Sequence, residues 1–189
     1  MIRFRFSLVA GLLVGLSLTT SSTFAAEDLT LVSSDSTIEF VGTKPGGKHK
    51  GGFQKFKVDA SADFEDPNQS SIAVEIDAKS IWSDDDKLTN HLKSPDFFDV
   101  RNNPKITFES TKIVPGERNG DKLTATITGD WMMLGKTVKV EIPVEAEVTE
   151  QTIDMTAKFT IDRTKWGMNY GQGKIDNDVK VSVRLFFKR

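Results

Sequence analysis

Two histidines and the carboxylates near them are the residues of this chain that could do acid–base chemistry. His91 precedes Asp96 and Asp99 in the segment LTNHLKSPDFFDVRNN. A histidine positioned against a carboxylate can act as a general acid or base. On a helical stripe with Leu88 and Leu92, however, a histidine is more often structural and hydrogen-bonded to loop carbonyls beneath a lid. We favour the structural interpretation, because no serine elbow or other nucleophile motif accompanies it.

The sequence offers little for a metal ion. It contains two histidines, His49 and His91, and no cysteine. His49 lies in the segment PGGKHKGG, which predicts an exposed loop, and no ligand spacing joins the histidines to Asp96 or Asp99. The acidic run 84–86 lacks the pattern of a calcium loop and instead predicts a helix start with Ser83 as its cap. We therefore predict no metal site and no catalytic residue.

Phe97 and Phe98 are the more informative residues of the same segment. They stand between two aspartates in a predicted loop, although an aromatic side chain left in water forgoes about 1.5–3 kcal/mol of burial. The connection that carries them, residues 79–104, is far longer than a usual hairpin loop and is therefore predicted to be functional. We predict a helical lid with Trp82 at its entrance. The two phenylalanines could form a plug of the opening or a wall of a pocket.

The rest of the sequence predicts the sheet that this lid covers. Apolar and polar residues alternate with a period of two, which places one face in the core and the other in water. Continuous apolar runs are absent, which favours antiparallel pairing. Pro143 lacks an N–H and is predicted to lie where pairing is interrupted. Four long segments, 123–131, 138–148, 153–161 and 179–187, and four shorter ones, 38–40, 56–64, 72–78 and 106–108, predict about eight strands, with a bulge near Gly51.

Eight amphipathic antiparallel strands can form a sandwich or a closed up-and-down barrel. The cysteine–tryptophan–cysteine spacing of immunoglobulin domains is absent, and closure removes exposed strand edges. The inward-facing residues include almost no hydrogen-bonding groups, which excludes a water channel and predicts an apolar content. We therefore predict an all-β fold: an eight-stranded antiparallel, lipocalin-like barrel with a helical lid in its one long loop.

Residues 1–25 predict an export signal, with two arginines near the start, an apolar run at 8–18 and small residues near Ala25. The run is shorter than the roughly 20 residues of a membrane span. We predict cleavage there, which leaves 26–189 as a single barrel domain in the periplasm or secreted. The formal net charge of −2, with interspersed signs, argues against a nucleic-acid partner.

Four blocks of the sequence resemble the YceI-like family of exported, lipocalin-like barrels: HLKSPDFFDV, NPKITFEST, TGDWMMLGKT and IDRTKWGMNYG. The resemblance runs in order over nearly the whole chain after the leader. It implies a barrel that binds a polyisoprenoid or a similar long amphiphile, such as an isoprenoid quinone, in its interior. The chain departs from the commoner pattern at Leu88-Thr89, where many members carry an arginine–aspartate pair, and in VGTKPGGKHKGGFQKF. These departures concern the polar contacts near the mouth, and hence the ligand more than the fold.

The predicted ligand contacts are the inward-facing aromatic and aliphatic side chains of the strands and lid, with Arg163 as the cationic candidate for a head group. Asp162 and Arg163 can also form a salt bridge that fixes the turn before the last strand. Met132 and Met133 can be flexible pocket lining or core filler. The predicted contacts are Phe40, Phe56, Ile76, Trp82, Leu88, His91, Leu92, Phe97, Phe98, Phe108, Trp131, Phe159, Arg163 and Trp166.

Three functions remain open at this point. The leading hypothesis is an exported binding protein that holds a long-chain isoprenoid, a polyprenol or an isoprenoid quinone, for transport or storage, with transient membrane contact and no other cofactor. The second is an enzyme that uses His91 with Asp96 or Asp99. The third is a packed barrel that acts as a protein-interaction or stress-response module with an unidentified partner. A hollow interior favours the first hypothesis, and a filled one favours the third.

Overall fold

The structure, a computed structural model, describes residues 26–189, so the predicted leader at residues 1–25 lies outside it. None of the helices in this part of the chain is long and apolar enough to cross a membrane. Residues 26–189 form one α-helix and eleven strands. They are β1 (Glu27–Leu31), β2 (Thr37–Lys44), β3 (Gly47–Phe53), β4 (Phe56–Ala62), β5 (Ser71–Asp77), β6 (Ile81–Ser83), α1 (Asp86–Leu92), β7 (Lys105–Asn119), β8 (Lys122–Met133), β9 (Lys136–Val148), β10 (Thr152–Asp162) and β11 (Asp178–Lys188).

The strands form the predicted closed barrel of eight antiparallel strands. Its hydrogen-bonded ring runs in the order β1, β4, β5, β7, β8, β9, β10 and β11, and β11 closes on β1 through Leu31 and Phe187. The long hairpins β7–β8, β8–β9 and β10–β11 follow the regular alternation seen in the sequence, which sets their register.

The other three strands, β2, β3 and β6, extend β1, β4 and β5 beyond short interruptions at residues 32–36, 54–55 and 78–80. They pair with one another and with β11, and they raise the barrel wall on one side. The prediction of a loop around His49 is therefore wrong, because β2 gives this lysine- and glycine-rich segment a strand partner, whereas its predicted exposure is confirmed by a His49 side chain that is 40% exposed. The predicted bulge at Gly51 is also wrong, because the interruption lies at 54–55.

Gly51 lies within regular β3 at a position where a side chain would not fit. A Cβ on Gly51 would come within 2.6 Å of the Phe40 ring and 2.7 Å of the Trp82 carbonyl oxygen. The close approach lets the Phe40 ring lie over the β3 backbone.

The end of the barrel that contains β2, β3 and β6 is here called the upper half. In this half the wall opens at two places. The β5–β7 ladder ends at Asp77 opposite Lys105, and the β9–β10 ladder ends at Val144 opposite Ala157. Pro143 lies directly before Val144, just outside the second of these ladders, which confirms its predicted place at an interruption of pairing. The segment 84–104, with α1, and the segment 163–177 occupy these openings and form the mouth.

Two apolar clusters follow from this shape. The cluster at the mouth contains Phe53, Leu92, Phe97 and Trp166, whereas the cluster at the far end contains Leu185 and closes the barrel there. The remaining buried members of the far-end cluster are Val58, Ile72, Ile127, Val144, Ala146, Val148, Ile153, Ala157 and Phe187.

Candidate functional site

A cavity of about 410 Å³ lies inside the barrel, within the roughly 300–1,000 Å³ typical of ligand pockets. Its wall is mostly apolar and uses alternate residues of β10, from Met155 to Ile161, and of β11, from Val179 to Leu185. At about 3.3 Å per residue, each set extends along its strand for roughly 20 Å. The cavity is therefore elongated, closed below by the far-end cluster and bounded above by the lid.

Most of the predicted contacts line this cavity, and three do not. Phe56 and Trp82 border a separate crevice on the side of the barrel, and Trp166 lies behind Trp131, to whose carbonyl oxygen its Nε1 donates at 2.9 Å. Trp82 lies opposite Gly52, between inward-facing neighbours, because the interruption at 78–80 resets the alternation. The residues that do line the cavity are Phe40, Ile76, Leu88, His91, Leu92, Phe97, Phe98, Phe108, Trp131, Phe159 and Arg163.

The lid is a short helix held at its start by side-chain caps. Asp85 is the N-cap, and its Oδ1 accepts from the Leu88 N–H at 2.8 Å, so the prediction of Ser83 as cap is wrong. The Ser83 hydroxyl donates instead to the Asp85 carbonyl oxygen and lies 2.8 Å from Thr89 Oγ1. These contacts join β6 to α1 and direct Leu88 towards the cavity.

The two adjacent phenylalanines of the lid both belong to the mouth cluster but pack against different aromatic rings. The Phe98 ring lies 5.7 Å from Phe53 and 6.3 Å from Phe40, on the strand side of the mouth. The Phe97 ring is buried against His91 at 4.9 Å and Tyr170 at 5.3 Å, on the opposite side. Both also line the cavity. The pair therefore spans the top of the cavity as part of its wall.

His91 is paired with a carboxylate and not with the loop carbonyls that the structural interpretation predicts. Its Nε2 lies 2.8 Å from Asp96 Oδ2, and the two side chains are 38% and 49% exposed. Asp99 makes no such pair. It adopts a left-handed backbone with φ of 41°, and its carboxylate accepts from the Asn102 and Asn103 side-chain amides. His91 therefore closes the helix end onto the following loop.

A second histidine–aspartate pair lies before the helix. His49 Nδ1 is 2.8 Å from Asp84 Oδ1, and Asp84 Oδ2 accepts the Lys50 backbone N–H at 2.9 Å. These hydrogen bonds, that of Lys50 foremost and then that of His49, lower the pKa of Asp84. The two pairs together tie both ends of the lid to its surroundings.

Arg163 organises the other side of the mouth. It is 3% exposed, and it donates to the carbonyl oxygens of Met168 at 2.7 Å, Asp176 at 3.1 Å and Ile175 at 3.4 Å. Burial lowers its pKa, and the nearby charge of Asp162 opposes that effect. The predicted Asp162–Arg163 salt bridge is wrong, because Asp162 caps the following turn through the Thr164 backbone N–H and hydroxyl.

Several lining residues are missing from the sequence prediction. Tyr170, the only tyrosine of the chain, contacts His91 from the 163–177 segment, and no periodicity marks this approach. Of the two adjacent methionines, Met133 lines the cavity and Met132 does not line it. The inward residues of β10 and β11 could have been found, because their alternation is plain in the sequence. Within residues 26–189, no cluster of three potential metal ligands occurs.

The sequence matches the family described as "YceI-like domain" over residues 29–187. A UPF0312 protein of Pseudomonas putida is 38% identical over 90 residues, which are 48% of this chain and 45% of that relative, so the match spans about half of each. UPF0312 protein SAB2563 of Staphylococcus aureus is 31% identical over 131 residues, or 66% of this chain and 72% of the relative.

Solved structures show the same fold. BcnA of Burkholderia cenocepacia superposes with a TM-score of 0.75 at 23% identity, covering 82% of this chain and 98% of BcnA. A polyisoprenoid binding domain from Saccharophagus degradans, implicated in plant cell wall breakdown, has a TM-score of 0.66 at 12% identity. The superposition covers 86% of this chain and 98% of that domain. The YCEI protein of Campylobacter jejuni has a TM-score of 0.61 at 17% identity, and the superposition covers 74% of this chain and 84% of that protein. At these identities the likeness shows a shared fold.

Proposed function

The chain belongs to the YceI-like domain family, and from this premise we propose that it is an exported carrier that holds a long-chain isoprenoid, a polyprenol or an isoprenoid quinone, inside its barrel for transport or storage. The observation that carries the proposal is the elongated, mostly apolar cavity of about 410 Å³. The description of the Saccharophagus degradans domain as polyisoprenoid-binding supports this class of ligand.

The shape and polarity of the cavity favour a chain-like hydrocarbon. Its lower half is walled by aliphatic side chains such as Val144, Met155, Val183 and Leu185. A polar ligand would lose its hydrogen bonds with water there and find no partners. An isoprenoid tail has none to lose, and each buried CH₂ contributes about 0.8 kcal/mol relative to water.

The polar groups of the site are gathered at the mouth. The His91–Asp96 and His49–Asp84 pairs and the Arg163 loop surround the upper end of the cavity. A head group would therefore stay at the rim while the tail enters the barrel. Thr89, one of the positions that depart from the commoner family pattern, serves to hold the lid, because its hydroxyl accepts the Ser83 backbone N–H at 2.9 Å.

Binding without turnover fits the site better than catalysis. His91 Nε2 is hydrogen-bonded to Asp96 and Asp99 accepts from two asparagines, and the sequence places no serine elbow or other nucleophile motif beside this pair, so the contacts of His91 and Asp96 hold the lid. The family is a binding-protein fold. The packed-barrel hypothesis has less support, because it requires a filled interior and the barrel contains a cavity of about 410 Å³.

Loading of a defined isoprenoid tests the proposal. Undecaprenol or a long-chain ubiquinone, delivered from methyl-β-cyclodextrin, should elute with the purified protein on gel filtration at about one molecule per barrel. Geraniol, a short isoprenoid, should bind far more weakly because it buries fewer methylenes. The ligand recovered from the complex should have an unchanged mass. Absence of uptake of both long-chain ligands would contradict binding, and a changed mass would contradict the absence of turnover.

A further inference from the structure

The β2–β3 hairpin ends in a cationic segment that the cavity alone does not explain. Residues 44–50, here called the basic tip, read KPGGKHK and contain three lysines, one histidine and no acidic residue. Lys44, Lys48 and Lys50 are exposed. This local excess of positive charge contrasts with the formal net charge of −2 for the chain.

The basic tip projects beyond its neighbouring strands at the mouth. On one side the β3–β6 ladder ends at Gly51, and on the other the β11–β2 ladder ends at Gly42. Lys48 lies three residues past Gly51, or about 10 Å at 3.3 Å per residue. Lys44 and His49 share the face that lines the cavity, whereas Lys48 lies on the outer face. The basic tip therefore extends beyond the rim of the mouth.

Three carboxylates near the base of the hairpin, those of Glu39, Asp84 and Asp176, are already engaged. Lys50 Nζ lies 2.9 Å from Glu39 Oε1, Asp84 accepts from Lys50 and pairs with His49, and Asp176 accepts from the Thr43 hydroxyl at 2.6 Å. By contrast, no carboxylate oxygen of residues 26–189 lies within 4.0 Å of the ammonium group of Lys44 or Lys48. Two positive charges at the tip are thus left for an external partner.

An exposed aromatic ring lies at the same mouth. Tyr170 is 45% exposed, more than Val114 at 41% or Phe64 at 36%. Its ring packs edge-on against His91 at 4.9 Å, and it also contacts Phe97. Tyrosine is suited to the membrane–water interface, because its ring is apolar and its hydroxyl stays hydrated.

We propose that the basic tip and Tyr170 dock the mouth of the barrel onto an anionic lipid surface, so that an isoprenoid passes between bilayer and cavity without crossing water. The inference rests on the proposed function. A bilayer and the cavity offer the tail a similar apolar environment, but a passage through water would expose every methylene. Two free lysines and one aromatic ring give weak, reversible attachment, which suits a carrier that must leave the surface again.

Vesicle binding with charge-matched variants tests this docking. The variant Lys44→Gln/Lys48→Gln removes the two free charges, and the control Lys122→Gln/Lys188→Gln removes two exposed lysines from the opposite end of the barrel. In co-sedimentation with phosphatidylglycerol-containing vesicles, each tip lysine should contribute about fivefold, so the tip variant should bind roughly 25-fold more weakly. The control should change binding less than twofold. Tyr170→Ala should weaken binding without altering its dependence on vesicle charge.

Loading from cyclodextrin, which needs no membrane, separates the two proposals. The inference is supported if the single variant Lys48→Gln, whose side chain lies on the outer face and not in the cavity wall, takes undecaprenol from cyclodextrin like the wild type but acquires it more slowly from anionic vesicles. Equal vesicle binding by the two double variants, or wild-type binding no stronger to anionic than to phosphatidylcholine vesicles, would overturn the docking and leave the proposed function standing. Failure of the wild type to load from cyclodextrin would overturn both.

Discussion

Ala157→Phe should shorten the tail that the cavity accepts. Ala157 lies on β10 in the lower half of the cavity, 6% exposed, and pairs with Val144 and Val183, which also line the cavity. A phenyl ring at this position enters empty space, so its cost should fall below the roughly 1–3 kcal/mol of ordinary overpacking. We expect a folded barrel with less room at its closed end.

The magnitude follows from the volume that the ring takes. A phenyl group displaces roughly one isoprene unit, so about five carbon atoms of a full-length tail leave the cavity for water. At about 0.8 kcal/mol for each, the loss is about 4 kcal/mol, or roughly 10³-fold in Kd. A tail one unit shorter should bind the variant nearly as well as the wild type.

The assay measures Kd for a series of polyprenols that differ by one isoprene unit, delivered from cyclodextrin. Thr160→Phe is the matched control, because Thr160 is exposed on the outer face of the same strand. Circular dichroism and Tm establish that both variants fold. Unchanged affinity and unchanged length preference in a folded Ala157→Phe variant would refute the conclusion that the tail occupies the lower half of the barrel.

Three further predictions concern the framework of the mouth. Gly51→Ala should lower the free energy of unfolding by about 1–3 kcal/mol in urea, because its Cβ would meet the Phe40 ring at 2.6 Å, whereas Gly42→Ala, with nothing within 4 Å, should cost less; equal costs would contradict the packing described. The lowered pKa of Asp84 stabilises the fold above the ordinary value of about 3.9, and this contribution is lost as the pH falls through the lowered pKa. The protection factors of the amides at the start of α1, measured by hydrogen exchange, should therefore fall below about pH 4 in the wild type and not in Asp84→Asn, and identical pH profiles of these factors would disprove this role. Arg163→Met should destabilise the chain by about 3 kcal/mol or more in the same urea assay, since it leaves three carbonyl groups without their donor, and a loss below about 1 kcal/mol would show that these hydrogen bonds matter little.

The regular half of the barrel could be predicted from the sequence. In β8, β9, β10 and β11 the alternation of apolar and polar residues runs unbroken, and it identifies both the strands and the inward face. The lid was predictable for a related reason, because Phe97 and Phe98 need burial that a polar loop cannot give.

The interrupted half could not be predicted in this way. The segment GKHKGGF has low strand propensity and becomes β3 because β2 and β6 supply partners on both sides. The break at 78–80 shifts the alternation, so Trp82 faces outward although its neighbours face the interior. The contact of Tyr170 with His91 joins distant parts of the chain, and no local pattern encodes it.

Mass spectrometry of the lipid carried by the protein tests the central proposal most directly. The full chain, expressed in a bacterium and purified without detergent, is extracted with organic solvent, and the extract is compared with that of the Ala157→Phe variant. We predict about one long-chain isoprenoid per wild-type barrel and a shift to shorter tails in the variant. An extract without isoprenoid, together with no uptake when undecaprenol or ubiquinone is added, would contradict the proposal.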